Sequence, residues 1–351
     1  MKRVISILMS IILIFACCSV TAFAKDDPEW IVKLRDNLVD GKGPEVNGIA
    51  IDYVSYAPIN LKEGTKYPLV ILLHGMGQGT TTRDEIVENY FPAFTSDEMQ
   101  SKFTNGGAFI FVPRSDESEN LFSTWTNDEV EPLYEAIQSY IALNKDYIDT
   151  TRIYIGGYSM GGKMTIKMIS TYPEMFAAAF PMCPAYIPSN EQLEAVSNMP
   201  LWLMCSRFDV LAGYYTYSKD IWSQICSSTK VPSDCRISVF GKVCFPDGTK
   251  TDSNHHVWFA ASNDMFTYEK CDYPNMVTTD ATGKEVKLTY PNGLISWLCS
   301  YTSEYDGSDV KPTNLVEENT STVFDMAGRM IKALACMFED TIKSGIKSIT
   351  K

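Results

Sequence analysis

From Asn47 onward, short apolar runs alternate with stretches whose apolar residues recur at helical spacing. That alternation predicts a parallel sheet covered by helices. Ile49 to Ala57 reads as an early strand. Leu69-Val70-Ile71-Leu72-Leu73, entered through Tyr67-Pro68, is a continuous apolar run suited to a strand buried on both faces. Ala108 to Val112, ending at Pro113, is a second such run, and Arg152 to Ile155 is a third. Phe176 to Phe180, Leu201 to Met204 and Arg236 to Phe240 predict further strands, the last of them completing the sheet. Helices are expected over Asp128 to Leu143, Lys163 to Thr171 and Tyr215 to Cys226.

Three regions depart from this rhythm. Asp272 to Pro291 is polar and rich in Thr, Asp and Gly, as an inserted loop or hairpin would be. Tyr305 to Asn319 is polar and precedes an amphipathic segment, Val323 to about Ile346, with a capping box at Thr322 and Asp325. In that segment Phe324, Met330, Ile331, Leu334, Phe338 and Ile342 recur at helical spacing, and the helix is expected to pack on the domain. The third region is the N-terminus. Lys2 and Arg3 precede an apolar run from Val4 to about Ala16, and Ala22-Phe23-Ala24 follows, the pattern of a secretory signal cleaved after Ala24. Lipidation at Cys17 is the minor alternative. The expected organisation is a signal at 1–24, a catalytic domain at 25–303 and a C-terminal segment at 304–351.

Composition narrows the classes. Apolar residues make up 45% and charged residues 21% of the 351, as in a soluble globular chain. Beyond the N-terminus no stretch is long and apolar enough to span a bilayer, so no stable membrane insertion is expected after signal cleavage. The formal charge of −13, more negative once Lys2 and Arg3 are removed, repels phosphate backbones, and nucleic acid is not an expected partner. Ten cysteines fall to eight without the signal, with no C-x-x-C spacing and only three histidines in the chain, so no zinc site is expected.

The chemistry centres on Gly157-Tyr158-Ser159-Met160-Gly161, directly after one predicted strand and before a helix. A serine on such a turn is exposed by a strained backbone, and small neighbours make room for it. The N–H of Met160 then sits at a helix N-terminus, placed to stabilise an oxyanion. His74-Gly75-Met76-Gly77, at the end of the Leu69–Leu73 strand, offers a second oxyanion donor in the N–H of Met76. His74 precedes the nucleophile and is expected to orient this loop rather than act as base. Asp209 lies just past the Leu201–Met204 strand, where it can hold a histidine tautomer and stabilise an imidazolium. By elimination the base is His255 or His256.

Four segments carry a resemblance. They are Tyr67 to Gly75, Arg152 to Gly162, Tyr172-Pro173-Glu174-Met175-Phe176-Ala177-Ala178, and His255-His256-Val257-Trp258. Over about Tyr67 to Trp297 the chain resembles the secreted esterases and predicted peptidases related to polyhydroxybutyrate depolymerases and feruloyl esterases. The resemblance implies an α/β-hydrolase fold, with a mostly parallel central sheet flanked by helices. It also implies a Ser–Asp–His triad acting without a cofactor on a small-molecule or polymer-borne ester. A histidine three residues before a tryptophan, as in one branch of that family, selects His255; the depolymerase-like spacing of two selects His256. Cys205-Ser206-Arg207-Phe208 stands where relatives have a small His-Gly turn, and the Asp272–Pro291 insertion is not typical of them. A peptidase of the same fold is the alternative activity, and a non-catalytic binding protein the alternative class.

Overall fold

The computed structural model describes residues 34–78, 90, 93–115, 125–228, 230–245, 247–251, 253–309, 311–312 and 328–338. The chain divides into Met1–Asp36, of which 34–36 form a helical turn, and Asn37–Lys351. The signal-like segment, Cys17 and the Thr322–Asp325 capping box lie outside the described residues.

The second unit is built on one nine-stranded sheet. In chain order its elements are β1 (Leu38–Lys42), β2 (Asp52–Tyr56), β3 (Tyr67–Leu73), α1 (Asp97–Lys102), β4 (Phe109–Arg114) and α2 (Val130–Leu143). β5 (Ile148–Tyr158), α3 (Met160–Thr171), β6 (Ala178–Met182), α4 (Asn190–Val196) and β7 (Trp202–Ser206) follow. α5 (Lys219–Ser227), β8 (Arg236–Phe240), α6 (Trp258–Ser262), β9 (Met276–Asp280) and α7 (Leu294–Cys299) complete the list. The strand order is β1-β2-β4-β3-β5-β6-β7-β8-β9. The six strands from β4 to β8 run parallel, while β1, β2 and β9 pair antiparallel at the two ends.

The central strands follow from their composition. All seven residues of β3 are buried, which requires cover on both faces of the sheet. α2 buries Leu133, Tyr134, Ala136, Ile137, Tyr140 and Ile141, spaced to share one face, and Tyr140 packs on Tyr53 of β2 and on Phe109 and Phe111 of β4. α3 packs on β5, β6 and α4, and α4 begins with a capping box between Ser189 and Gln192.

Two expectations need correction. The sheet does not end at β8. The polar Asp272–Pro291 segment contributes β9, which continues into a hairpin closed by the Asp280 N–H on Lys284 O at 2.9 Å and the Val286 N–H on Thr278 O at 2.8 Å. An edge strand buries one face only, so its sequence lacks the apolar run of a central strand. The C-terminal segment is helical over 328–338, but its packing face is not the apolar stripe. Ala333 and Met337 are buried, whereas Ile331, Leu334 and Phe338 face solvent. Among the described residues no helix is long and apolar enough to cross a membrane.

Candidate active site

Ser159 stands alone between β5 and α3, at φ 59 and ψ −112. This is a conformation that residues with a Cβ rarely adopt, so the surrounding structure must impose it. It does so from both sides. The Ser159 N–H donates to Met182 O at 2.8 Å, and Ser159 O accepts from the Lys163 N–H at 3.0 Å. The side chain makes no capping bond to α3, which leaves the hydroxyl for other work. Close backbone approach explains the flanking glycines. A methyl on Gly161 would lie 2.1 Å from Leu73 O, and one on Gly157 would lie 2.4 Å from Gly161 O.

The same approach brings the end of β3 against the start of α3. His74 is fully buried, its Nε2 accepting the Ser115 N–H at 3.0 Å. The other ring nitrogen, Nδ1, therefore carries the proton and donates it to Gly75 O at 2.7 Å. With both ring nitrogens bonded to backbone, His74 shapes the loop that carries Met76. The loop turns at Gly77 (φ 79), and Met76 is 47% exposed. Gly75 packs so near the Tyr158 ring that a methyl there would be 3.0 Å from it, which sets the loop beside the Ser159 turn.

Burial, partly opposed by the bond to Gly75, lowers the His74 pKa from 6.5 to about 4. The unfolded chain thus takes up this proton at higher pH than the folded one. Stability is fully present above pH 6.5 and is lost as pH falls toward 4. Between pH 7.5 and 5 the loss is about 2 kcal/mol. Urea unfolding at the two pH values should show it, and His74→Gln should flatten the dependence.

Asp209 lies three residues beyond β7 and is buried. Its Oδ1 accepts the N–H groups of Leu211 at 2.8 Å and Ala212 at 3.3 Å, and its Oδ2 meets His255 Nδ1 at 2.6 Å. Burial alone would raise its pKa, but the His255 ring and the two N–H groups outweigh that and hold the carboxyl below its ordinary value. Bonding through Nδ1 leaves Nε2 of His255 as the nitrogen available to a reacting group. The His255 ring is 4.7 Å from that of Tyr158, the residue before Ser159. His256 turns toward Tyr158 and Phe259 instead, at 6.3 and 5.9 Å between ring centroids. The geometry thus joins Asp209 to His255 rather than to His256.

Arg207, at the atypical turn before Asp209, donates its N–H to Phe240 O at 2.8 Å, and its guanidinium reaches the Tyr215 hydroxyl at 3.1 Å. Sequence reading missed one neighbour of the site, Cys183, whose apolar surroundings carried no sign of it. Cys183, Asp209 and His255 are the one trio of potential metal ligands among the described residues. At 2.6 Å the Asp209 and His255 atoms share a proton and leave no room for an ion between them. A cavity of about 440 Å³ is lined in part by Trp258, Phe259, Phe266, Tyr268, Tyr290 and Lys102; Ser159, Asp209 and His255 do not line it, and its link to them is Trp258, whose ring lies 6.5 Å from that of Tyr158. Tyr290 belongs to the Asp272–Pro291 insertion, so that insertion borders the cavity.

The overall arrangement is similar to that of a solved thermostable esterase. The two share 24% identity and superpose with a TM-score of 0.53 over 66% of this chain and 61% of the other. This is the α/β-hydrolase fold. The sequence profile of the prolyl oligopeptidase family matches residues 119–195, the stretch that carries the Ser159 turn of the α/β-hydrolase fold. The chain is 31% identical over 135 residues to a bifunctional acetylxylan esterase/xylanase of Neocallimastix patriciarum. It is 26% identical over 132 residues to dipeptidyl aminopeptidase A of Saccharomyces cerevisiae. These matches cover 38% and 35% of this chain but only 18% and 13% of the relatives. The relatives therefore include both an esterase and a peptidase.

Proposed function

We propose that the protein is a secreted serine hydrolase that cleaves carboxylic esters through Ser159, Asp209 and His255. The observation that carries this reading is the 2.6 Å bond from His255 to Asp209, with the His255 ring 4.7 Å from that of Tyr158, the residue before a serine held in a strained strand-to-helix turn. His255 Nε2 takes the Ser159 proton as the oxygen attacks the ester carbonyl, and the carbonyl electrons move onto its oxygen. The backbone N–H groups of Met160 and Met76 stabilise that oxyanion. Collapse breaks the bond to the alcohol, which leaves with the proton from the imidazolium, and an acyl group remains on Ser159. Water, deprotonated by the same imidazole, then releases the acid and restores the serine.

The substrate is a small-molecule or polymer-borne ester. The resemblance to depolymerase-like and feruloyl esterases and the acetylxylan esterase relative support an ester. The prolyl oligopeptidase match and the aminopeptidase relative favour a peptidase as the second reading. An alkoxide leaves more readily than an amide nitrogen, so ester cleavage asks less of the general acid. Secretion rests on the Lys2–Ala24 pattern. Labelling of the purified protein with a fluorophosphonate, followed by peptide mapping, should place the adduct on Ser159 alone. p-Nitrophenyl esters should then turn over faster than peptide nitroanilides. A folded protein that takes no label would instead be a binding protein that keeps the fold.

A further inference from the structure

Against the Asp209–His255 pair lies a side chain that the mechanism above leaves unused. Cys183 follows β6 directly, and its backbone enters the left-handed region at φ 44. A residue with a Cβ keeps that conformation only where its surroundings impose it. The Cys183 N–H donates to Met204 O of β7 at 2.8 Å, while Met182 before it accepts the Ser159 N–H. This turn thus ties the nucleophile's turn to the strand that leads to the acid. It also turns the thiol into the site. The Sγ, a carboxylate oxygen of Asp209 and a ring nitrogen of His255 all lie within 4.8 Å of one another, and all three residues are buried. The Sγ is 3.7 Å from the His255 carbonyl oxygen.

We infer that Cys183 is a positioning residue of the acyl-transfer site, its thiol holding the acid and the base in register. The inference rests on the hydrolase reading of Ser159, Asp209 and His255. Burial first, and the negative charge of Asp209 after it, push the Cys183 thiol far up, so it stays protonated. A neutral thiol has one proton, with the His255 carbonyl oxygen at 3.7 Å and a carboxylate oxygen of Asp209 within 4.8 Å. Given to the carbonyl, the proton anchors the backbone that carries the imidazole. Given to the carboxylate, it withdraws part of the charge that stabilises the imidazolium. A thiol is a weak donor, so it does this without displacing the imidazole N–H from Oδ2. The other groups near the trio are Cys205 of β7, pushed up to about 12 by burial, Arg207 beyond it, Tyr158 of β5 against the ring, and His256 one residue on.

The test is the pH profile of kcat/KM for p-nitrophenyl acetate in Cys183→Ala and Cys183→Ser, made in the full chain and checked by fluorophosphonate labelling. In Cys183→Ala, kcat should fall about 10-fold with KM within about 2-fold, a misalignment rather than a binding defect. Its acidic limb should move up by about half a pH unit, because the acid without its thiol donor holds the imidazolium more tightly. Cys183→Ser keeps a donor and should restore both the limb and most of the rate. If the alanine variant does not fold, Cys183→Gly carries the same expectation, since glycine accepts φ 44 without strain. Wild-type kcat and an unmoved limb in the alanine or glycine variant would overturn the inference, as would a serine variant shifted equally far. A wild-type chain that neither labels nor turns over would overturn the hydrolase reading, and this one with it.

Discussion

Ser159→Ala is expected to lower kcat on an ester substrate by at least about 10⁴-fold while leaving the fold in place. The size follows from the mechanism. Without the hydroxyl no acyl-enzyme forms, and only the oxyanion donors and substrate binding remain to help water attack directly. The fold should survive because the Ser159 side chain caps no helix. The positive φ at this position is imposed by hydrogen bonds of its backbone, which alanine retains. Far-UV circular dichroism and the urea midpoint should match the wild type to within about 0.5 kcal/mol. Turnover that persists in a folded Ser159→Ala protein would remove the serine from the mechanism and leave the turn as a packing feature only.

The second large effect separates two adjacent histidines. His255→Ala should cost about 10⁴-fold or more in kcat, and His256→Ala no more than about 10-fold. The asymmetry rests on one contact, the 2.6 Å bond between His255 Nδ1 and Asp209 Oδ2. That bond sets the tautomer, so Nε2 is the nitrogen free to accept the serine proton. Asp209→Asn should approach the His255→Ala loss, because an amide in its place favours the opposite tautomer. The loss of Asp209 also has a structural side. Its lowered pKa means that it stabilises the fold above the ordinary carboxylate range and loses that contribution as pH falls through its folded value. Steady-state kinetics of the three variants at pH 7.5 decide the matter. Equal losses in both histidine variants, or the larger loss in His256→Ala, would move the base to His256.

Some of this was legible because local chemistry dictates it. A parallel strand buried on both faces must be apolar throughout, and β3 and β4 stand out in the sequence for that reason. The turn at Ser159 is legible because a backbone that passes 2.1 Å from where a Gly161 methyl would sit admits no side chain. The glycines are the imprint of that approach. The edge strands left no such mark. β1 and β9 alternate or mix polar with apolar residues, as Leu38–Lys42 and Met276–Asp280 show, and pairing with β2 and β8 makes them strands. The C-terminal helix shows the limit of periodicity. Its apolar spacing predicts a helix from Val323 to about Ile346, and the described part, 328–338, is helical, yet the buried face runs through Ala333 and Met337 and leaves Ile331, Leu334 and Phe338 in solvent.

Contacts within a few residues suffice to specify the class of fold, the strained turn at Ser159 and a short list of side chains that could meet it. Which of those side chains come together depends on the sheet as a whole. Asp209 and His255 are 46 residues apart and reach one another because β7 and β8 are neighbours that run parallel, bringing their following loops to the same end of the sheet. Cys183 joins them because β6 lies between β5, which leads to Ser159, and β7, which leads to Asp209. Strand order is a property of the whole sheet, set by how all its faces are buried at once, and no local pattern of residues encodes it.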